Sequence, residues 1–408
     1  MAVCSAPKNM ELQKLLEDNF ANKHIPVDGI IELTHSCNFR CIHCYGQNER
    51  HEKDLSYEQW VNIFQQLKDE GCLCLALTGG EVLCRKDFPE LYKKAKEMGF
   101  IVVVLSNASL LTEEIAKLFY DYPLAYFSTT MYGSSRETYK KVTGLADNYD
   151  KFMNGISLLQ KYNIPIELKT VALKENYNDI KNIYDYAVKN KFPFRCTVTV
   201  RCTNDGNDET QDHSITPEQA LKLDTEILTN RAEFWKDIAL HPKPQPKTDE
   251  RRKNKCKYLC NVGNNGFMID ADGYAHICMA ERNKGFSLLE HSFKEYWNNV
   301  ITKIACEKAE IDYPCLNCKD FRYCEQCSAQ MELDKNNNTH NFMNNKCKLA
   351  RLRHQWCDDY ATEYNNKLKG GEWGVLELKV VETNINNAAY ESEYGSSTSW
   401  SGACCYKD

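Results

Sequence analysis

The stretch Gly29-Ile30-Ile31-Glu32-Leu33-Thr34-His35-Ser36-Cys37-Asn38-Phe39-Arg40-Cys41-Ile42-His43-Cys44-Tyr45 joins a short apolar run to three cysteines spaced C-x3-C-x2-C. Residues 29–33 read as a strand, which puts the cysteines on the loop at its C-terminal end. Five later runs share the strand's character: residues 72–77, 100–106, 124–130, 166–172 and 192–200. Each is short, β-branched or aromatic-rich, and nearly continuous in apolar residues, as in strands buried within a parallel sheet. Helical patterns separate them. Trp60, Ile63, Phe64 and Leu67 recur at i, i+3, i+4 and i+7 behind Ser56, and Ile115, Leu118 and Phe119 follow Thr112. Six such units fall two short of a closed eight-unit barrel. The six units make the expected fold class α/β, a partial (β/α)6 TIM-like barrel with an open side; the cysteines discussed below add the expectation of a small cysteine-rich iron–sulfur domain after it. Barrel enzymes carry their chemistry at the C-terminal strand ends, where Cys37, Cys41 and Cys44 lie.

Composition narrows the class. The 408 residues are 42% hydrophobic and 26% charged, an ordinary folded mixture. A formal net charge of −6 leaves no electrostatic footprint for nucleic acid or an anionic membrane. No apolar run approaches the ~20 residues that span a bilayer, and residues 1–10 lack the basic-then-apolar pattern of a signal peptide. A cytoplasmic location is the expectation. The anomaly is 21 cysteines, an odd total held in tight clusters. In a reducing compartment that pattern favours metal or cluster ligation over disulfides. Three thiolates on one loop can hold three corners of an iron–sulfur cubane and leave one iron open to a small molecule. A zinc site completed by a distant ligand such as His43 is the alternative.

Past residue 205 the alternation breaks. Thr216-Pro217-Glu218 opens a helix with Pro at its first position. Residues 241–255, with three prolines and six Lys or Arg, read as a linker. Residues 256–350 hold nine cysteines and little periodicity, so they are expected to fold around metal. The expected divisions are residues 1–27 (N-terminal segment), 28–205 (barrel), 206–255 (helix and linker), 256–350 (auxiliary-cluster domain) and 351–408 (C-terminal helix and tail). In the tail, Leu376, Leu378 and Val380 alternate with Glu377 and Lys379 as in a strand, and Cys404-Cys405 stand near the end. The tail reads either as a packing extension or as a substrate-like segment in cis.

The motifs resemble those of the radical S-adenosylmethionine (SAM) superfamily, whose signature is C-x3-C-x2-C on this loop of a partial barrel. The resemblance implies that Cys37, Cys41 and Cys44 hold a [4Fe–4S] cluster whose fourth iron takes the amino and carboxylate groups of SAM. Reductive cleavage then gives a 5′-deoxyadenosyl radical that abstracts hydrogen from substrate. Thr78-Gly79-Gly80-Glu81 looks like the family's GGE element, which contacts the methionyl amino group, with Val82 where relatives often have Pro. Glycine lets backbone approach a ligand, and Glu81 could pair with the ammonium. Tyr45, Asn107, Ser128, Thr130 and Lys169 join the implied SAM-binding set, with Thr130 toward the ribose. A strand lysine pointing to solvent is the other reading of Lys169. Residues 132–144 resemble a loop and helix of peptide-modifying members.

The later cysteines resemble the SPASM extension. Gly273 precedes Cys278 by five residues, and Cys315-x2-Cys318-x5-Cys324-x2-Cys327 departs from the usual x3 at its last interval. The resemblance implies two auxiliary [4Fe–4S] clusters, one on Cys256, Cys260, Cys278 and Cys327 and one on Cys315, Cys318, Cys324 and Cys347. Three clusters and SAM are thus the expected cofactors. Cys72, Cys74 and Cys196 read as small core residues, while Cys84 and Cys202 lie near strand ends on the catalytic face. The function implied is hydrogen abstraction from a peptide bearing a leader sequence, with thioether or carbon–carbon crosslinking of a ribosomally made product. A reduced flavodoxin or ferredoxin-type protein would donate electrons. The N-terminal ~25 residues are too short for a separate leader-recognition domain. The alternatives are Cys or Ser oxidation of the anaerobic sulfatase-maturase kind, small-molecule chemistry such as tetrapyrrole modification, and a redox iron–sulfur protein without SAM chemistry.

Overall fold

A computed structural model describes residues 24–47, 54–242, 246–260, 262–311, 313–336 and 341–370. The tail strand and Cys404-Cys405 lie outside the described residues. Strands β1 (Asp28–Glu32), β2 (Cys74–Thr78), β3 (Ile101–Ser106), β4 (Tyr126–Thr130), β5 (Ile166–Val171) and β6 (Phe194–Thr197) pair in parallel in chain order. The sheet is open, as a partial barrel requires. The sixth strand is shorter than its apolar run because its one neighbour, β5, stops at Val171, opposite Thr197.

The crossover helices are α1 (Tyr57–Asp69), α2 (Phe88–Glu97), α3 (Glu113–Asp121), α4 (Arg136–Thr143), α5 (Asn148–Lys161) and α6 (Ile180–Asn190). Ser56 and Gln59 form a capping box on α1, and the Thr112 hydroxyl accepts from the Ile115 amide at the start of α3. Under the helices Leu75, Leu77, Val102, Val104, Phe127 and Leu168 are wholly buried. The sheet's other face departs from the apolar expectation. Strand alternation places Glu32, Thr78, Ser128, Thr130, Lys169 and Arg195 on that face, with Glu32 level with Thr78, Ser128 with Glu167, and Thr130 with Lys169 and Arg195. The concave side is thus polar toward the C-terminal strand ends.

The cysteine-rich region does not stand apart from this sheet. Strand β7 (Gly266–Ile269) pairs in parallel with β1, and β8 (Tyr274–His276) and β9 (Phe286–Ser287) extend it to nine strands. Gly29 makes room for this, since a Cβ there would lie 2.7 Å from the Phe267 ring. Phe267 in turn packs on Phe293 at 4.6 Å between ring centroids. Strands of two to four residues are too short to show a period, so no local pattern marks them.

Beyond β6 lie α7 (Pro217–Lys222), a π-helical turn at Leu223–Ile227, and α8 (Thr229–Leu240). Part of the expected linker is helical, as α9 (Pro246–Lys253), with Pro at the start and Arg251, Arg252 and Lys253 in the last turn, both favourable there. Helix α10 (Ser328–Asn336) precedes the long α11 (Asn341–Gly370), which packs on α7 and α8. Cys347 lies within α11, which begins ten residues before the expected border at residue 351. Among the described residues no helix is long and apolar enough to cross a membrane.

Candidate active site on the rim of the open barrel

The cysteine loop continues the β1–β2 pairing in another form. Leu33 donates to the Thr78 carbonyl (2.8 Å), Gly80 to Thr34 (2.8 Å) and Glu81 to Ser36 (2.7 Å). A Cβ on Gly79 would sit 2.5 Å from the Thr34 oxygen, and one on Gly80 2.5 Å from the Ser36 oxygen. Both glycines therefore serve first to let the two loops lie on each other, rather than only to admit a ligand. On its other side the loop rests on the end of α4: Arg40 and Ile42 donate to Thr143 (3.1 Å) and Val142 (3.0 Å). Residues 132–144, singled out by resemblance, form that backing.

Cys37, Cys41 and Cys44 form no disulfide and are half-buried on this loop. All three bear on Tyr132, whose hydroxyl is held well above its ordinary pKa, first by burial and then by these thiols. His43 lies against the same ring at 5.5 Å. Burial, then His213, brings its pKa down to about 4, so the imidazole is neutral at pH 7. Among the described residues no three His, Cys, Asp or Glu side chains converge as a single metal ion demands. Three thiols on one loop beside Tyr132 are a donor set that suits three corners of a [4Fe–4S] cluster.

Glu81 is 2% exposed and engaged on both oxygens. It accepts from the Leu83 amide (3.0 Å), the Ser106 hydroxyl (2.7 Å) and the Asn107 amide (2.7 Å). Burial raises its pKa and these three bonds oppose the rise. Asn107 donates to Asn38 (2.9 Å), and both side chains meet Ser109 (2.6 and 2.8 Å). The two residues assigned to SAM thus also tie the strand ends to the Cys37 loop.

Across the concave face, the Ser128 hydroxyl donates to Glu167, which pairs with Arg195 (3.0 Å). Thr130 lies level with Lys169, and Lys169 with Arg195. Burial lowers the Lys169 pKa to about 8, with Glu167 opposing the shift and Arg195 adding to it. Its ammonium has no hydrogen-bond partner among the described residues. An unpaired cation beside a threonine hydroxyl suits an anionic ligand such as a carboxylate.

Sequence reasoning missed the contacts that join this rim to the later cysteines. Arg201 stacks on Tyr45 at 3.8 Å and reaches the Met279 carbonyl (3.3 Å). Glu32 and Arg282 form a bidentate pair (2.9 and 3.0 Å), each side chain under a tenth exposed. His35 meets Asp272 at 3.1 Å. Each joins residues too far apart in sequence for any local pattern. Among the later cysteines, the thiols of Cys260, Cys278 and Cys327 influence one another. Cys315 does so with Cys318, Cys324 and Cys347. Burial dominates in each case and pushes Cys278 and Cys315 up to about 12. Cys256 is buried. Cys72 and Cys196 are core residues, and Cys202 is buried against Gln330 (3.6 Å), away from any open face. Cys84 is half-exposed beside Asn38 and Glu81.

Residues 31–187 match the model of the Radical SAM superfamily. The chain is 32% identical over 166 residues to Fe-coproporphyrin III synthase of Methanosarcina barkeri, which covers 40% of this chain and 41% of that protein. It is 28% identical over 166 residues to the PqqA peptide cyclase of Rhodopseudomonas palustris, covering 40% and 44%. The chain thus spans less than half the length of these curated relatives. Streptococcus suis SuiB, solved bound to the precursor peptide SuiA, superposes with a TM-score of 0.59 at 14% identity, over 80% of this chain and 76% of that one. The anSMEcpe structure with bound AdoMet and Cp18Cys peptide gives 0.55 at 16% identity, over 81% and 99%. At such identities the likeness is one of fold.

Proposed function

We propose, on the premise that residues 31–187 are a radical SAM domain, that this enzyme abstracts hydrogen from a residue of a ribosomally made peptide and leaves a thioether or carbon–carbon crosslink. When bound, a [4Fe–4S] cluster with SAM supplies a 5′-deoxyadenosyl radical. The rest is the work of this chain's residues. Cys37, Cys41 and Cys44 hold the cluster. Glu81 and Asn107 fix the loop that carries them. Thr130 meets the ribose of SAM and Lys169 gives a polar contact to it, and Ser128, held by Glu167, orders the wall beside them. Tyr45, under Arg201, closes the far side of the rim and keeps water from it. Cys256, Cys260, Cys278 and Cys327 hold one auxiliary cluster, and Cys315, Cys318, Cys324 and Cys347 the other. A peptide with a leader sequence is the substrate, and a reduced flavodoxin or ferredoxin-type protein the electron donor.

The observation that carries this reading is the polar concave face, with the Cys37, Cys41 and Cys44 thiols on one loop at its rim and the second cysteine region hydrogen-bonded to the same sheet. The peptide-bound fold neighbours support a peptide substrate. Tetrapyrrole modification is the second reading, favoured by the Methanosarcina relative. Anaerobically reconstituted, reduced enzyme given SAM should form 5′-deoxyadenosine. A crosslinkable cysteine-containing peptide should lose two hydrogens by mass spectrometry, and a sulfatase-type peptide and an iron porphyrin should not change. No 5′-deoxyadenosine would overturn the SAM chemistry, and turnover of the porphyrin alone would overturn the peptide substrate.

A further inference from the structure

One ion network, built around a buried aspartate and arginine, belongs to no part of the proposed SAM site. Asp224 has no exposed surface and meets two arginines. Arg353 pairs with it at 2.7 Å and Arg231 more closely still. Glu325 closes the set, 3.5 Å from Arg231 and 3.8 Å from Arg353. Two carboxylates and two guanidinium groups balance. The network ties four parts of the chain together. Asp224 sits in the π turn after α7, Arg231 on α8 and Arg353 on α11. Arg231 also donates to the Cys196 carbonyl on β6 (3.3 Å), and Arg353 to the Tyr323 carbonyl (3.3 Å) while stacking over Trp235 at 4.7 Å.

Glu325 holds the notable position. It lies on the short bridge between Cys324, whose thiol groups with Cys315 and Cys347, and Cys327, whose thiol groups with Cys260 and Cys278. Resting on the auxiliary clusters proposed above, we infer that Asp224, Arg231, Glu325 and Arg353 position the Cys324–Cys327 bridge and balance its charge, so that the reduction potentials of both auxiliary clusters depend on this network. Asp224 and Arg353 are buried while Arg231 and Glu325 are partly exposed, and a partly buried charge acts on a nearby redox centre with less screening than one in open water. Reduction adds an electron, so losing a carboxylate favours it and losing a guanidinium opposes it. These four are positioning residues and touch no reacting atom.

The test is a redox titration of the full, anaerobically reconstituted chain, followed by electron paramagnetic resonance and iron analysis. Glu325→Gln should shift the auxiliary signals upward by about tenfold in the reduction equilibrium, ~59 mV for one electron. Arg231→Gln should shift them downward by a similar factor. The signal of the SAM-sensitive cluster should hold still in both. Loosened packing cannot produce shifts of opposite sign, so that sign difference identifies the charge effect. The neutral double variant E325Q/R231Q should return to the wild-type potential, and it carries the test if a single variant loses iron. Shifts of the same sign, no shift with iron retained, or a double variant displaced from wild type would overturn the inference. A wild-type protein that reconstitutes the SAM-sensitive cluster alone would instead overturn the auxiliary-cluster reading on which it stands.

Discussion

Lys169 and Glu81 show what a single buried charge does here. Lys169 has an ordinary pKa of 10.5 that burial brings to about 8. Between those values the unfolded chain binds more protons than the folded one, so this residue makes stability rise with pH from about 8 to 10.5. Below about 8 both states are charged and its destabilising effect is complete. Lys169→Met should therefore raise the urea midpoint at pH 7 and flatten the rise toward pH 10, while weakening SAM binding about tenfold through the lost carboxylate contact. An unchanged affinity would remove Lys169 from the SAM site. Glu81 acts in the other direction, since three donors depend on it. Glu81→Ala should cost ~3 kcal/mol or more, because the Ser106 hydroxyl and two amides are left without an acceptor. A cost below ~1 kcal/mol in chemical denaturation would show that water replaces the carboxylate.

The elements of this chain are arranged by close approach as much as by pattern. Loop meets loop at Gly79 and Gly80, where any side chain would strike backbone. Gly80→Ala should displace the cysteine loop, so the reconstituted variant should lose the SAM-sensitive signal while the auxiliary signals persist. Retention of that signal would mean that the loops can part without cost. The pair between Glu32, at the end of β1, and Arg282, beyond β8, joins two more elements. Breaking a buried pair from one side costs about 3–5 kcal/mol because an unpaired charge remains. Glu32→Gln and Arg282→Met should each show that loss in urea denaturation, and the double variant should lose much less than their sum. Additive losses would show that the two groups act separately. These elements were unevenly legible. The crossover helices announce themselves through caps and apolar faces, as at Ser56 and Trp60. Helix α9 lacks such a face, and β7 to β9 are too short to show one.

At the scale of the molecule, barrel and cysteine region form one continuous sheet, so damage to a distant thiol should be felt widely. Cys315→Ala should lose one auxiliary cluster and lower the melting temperature of the reconstituted protein, because a metal bound only by the folded state adds its binding energy to stability. Wild-type iron content and melting behaviour would count against that ligand. The sequence by itself determined the parallel six-strand core and the place of Cys37, Cys41 and Cys44 on the first loop, because strand period, helix caps and cysteine spacing are local properties of the chain. Only the tertiary structure decided that the concave face is polar, that Gly79 and Gly80 serve the contact between loops, and that Glu32 with Arg282, Arg201 with Tyr45, and the Asp224 network bind the two halves. Those features depend on which distant residues meet, and no local pattern carries that information.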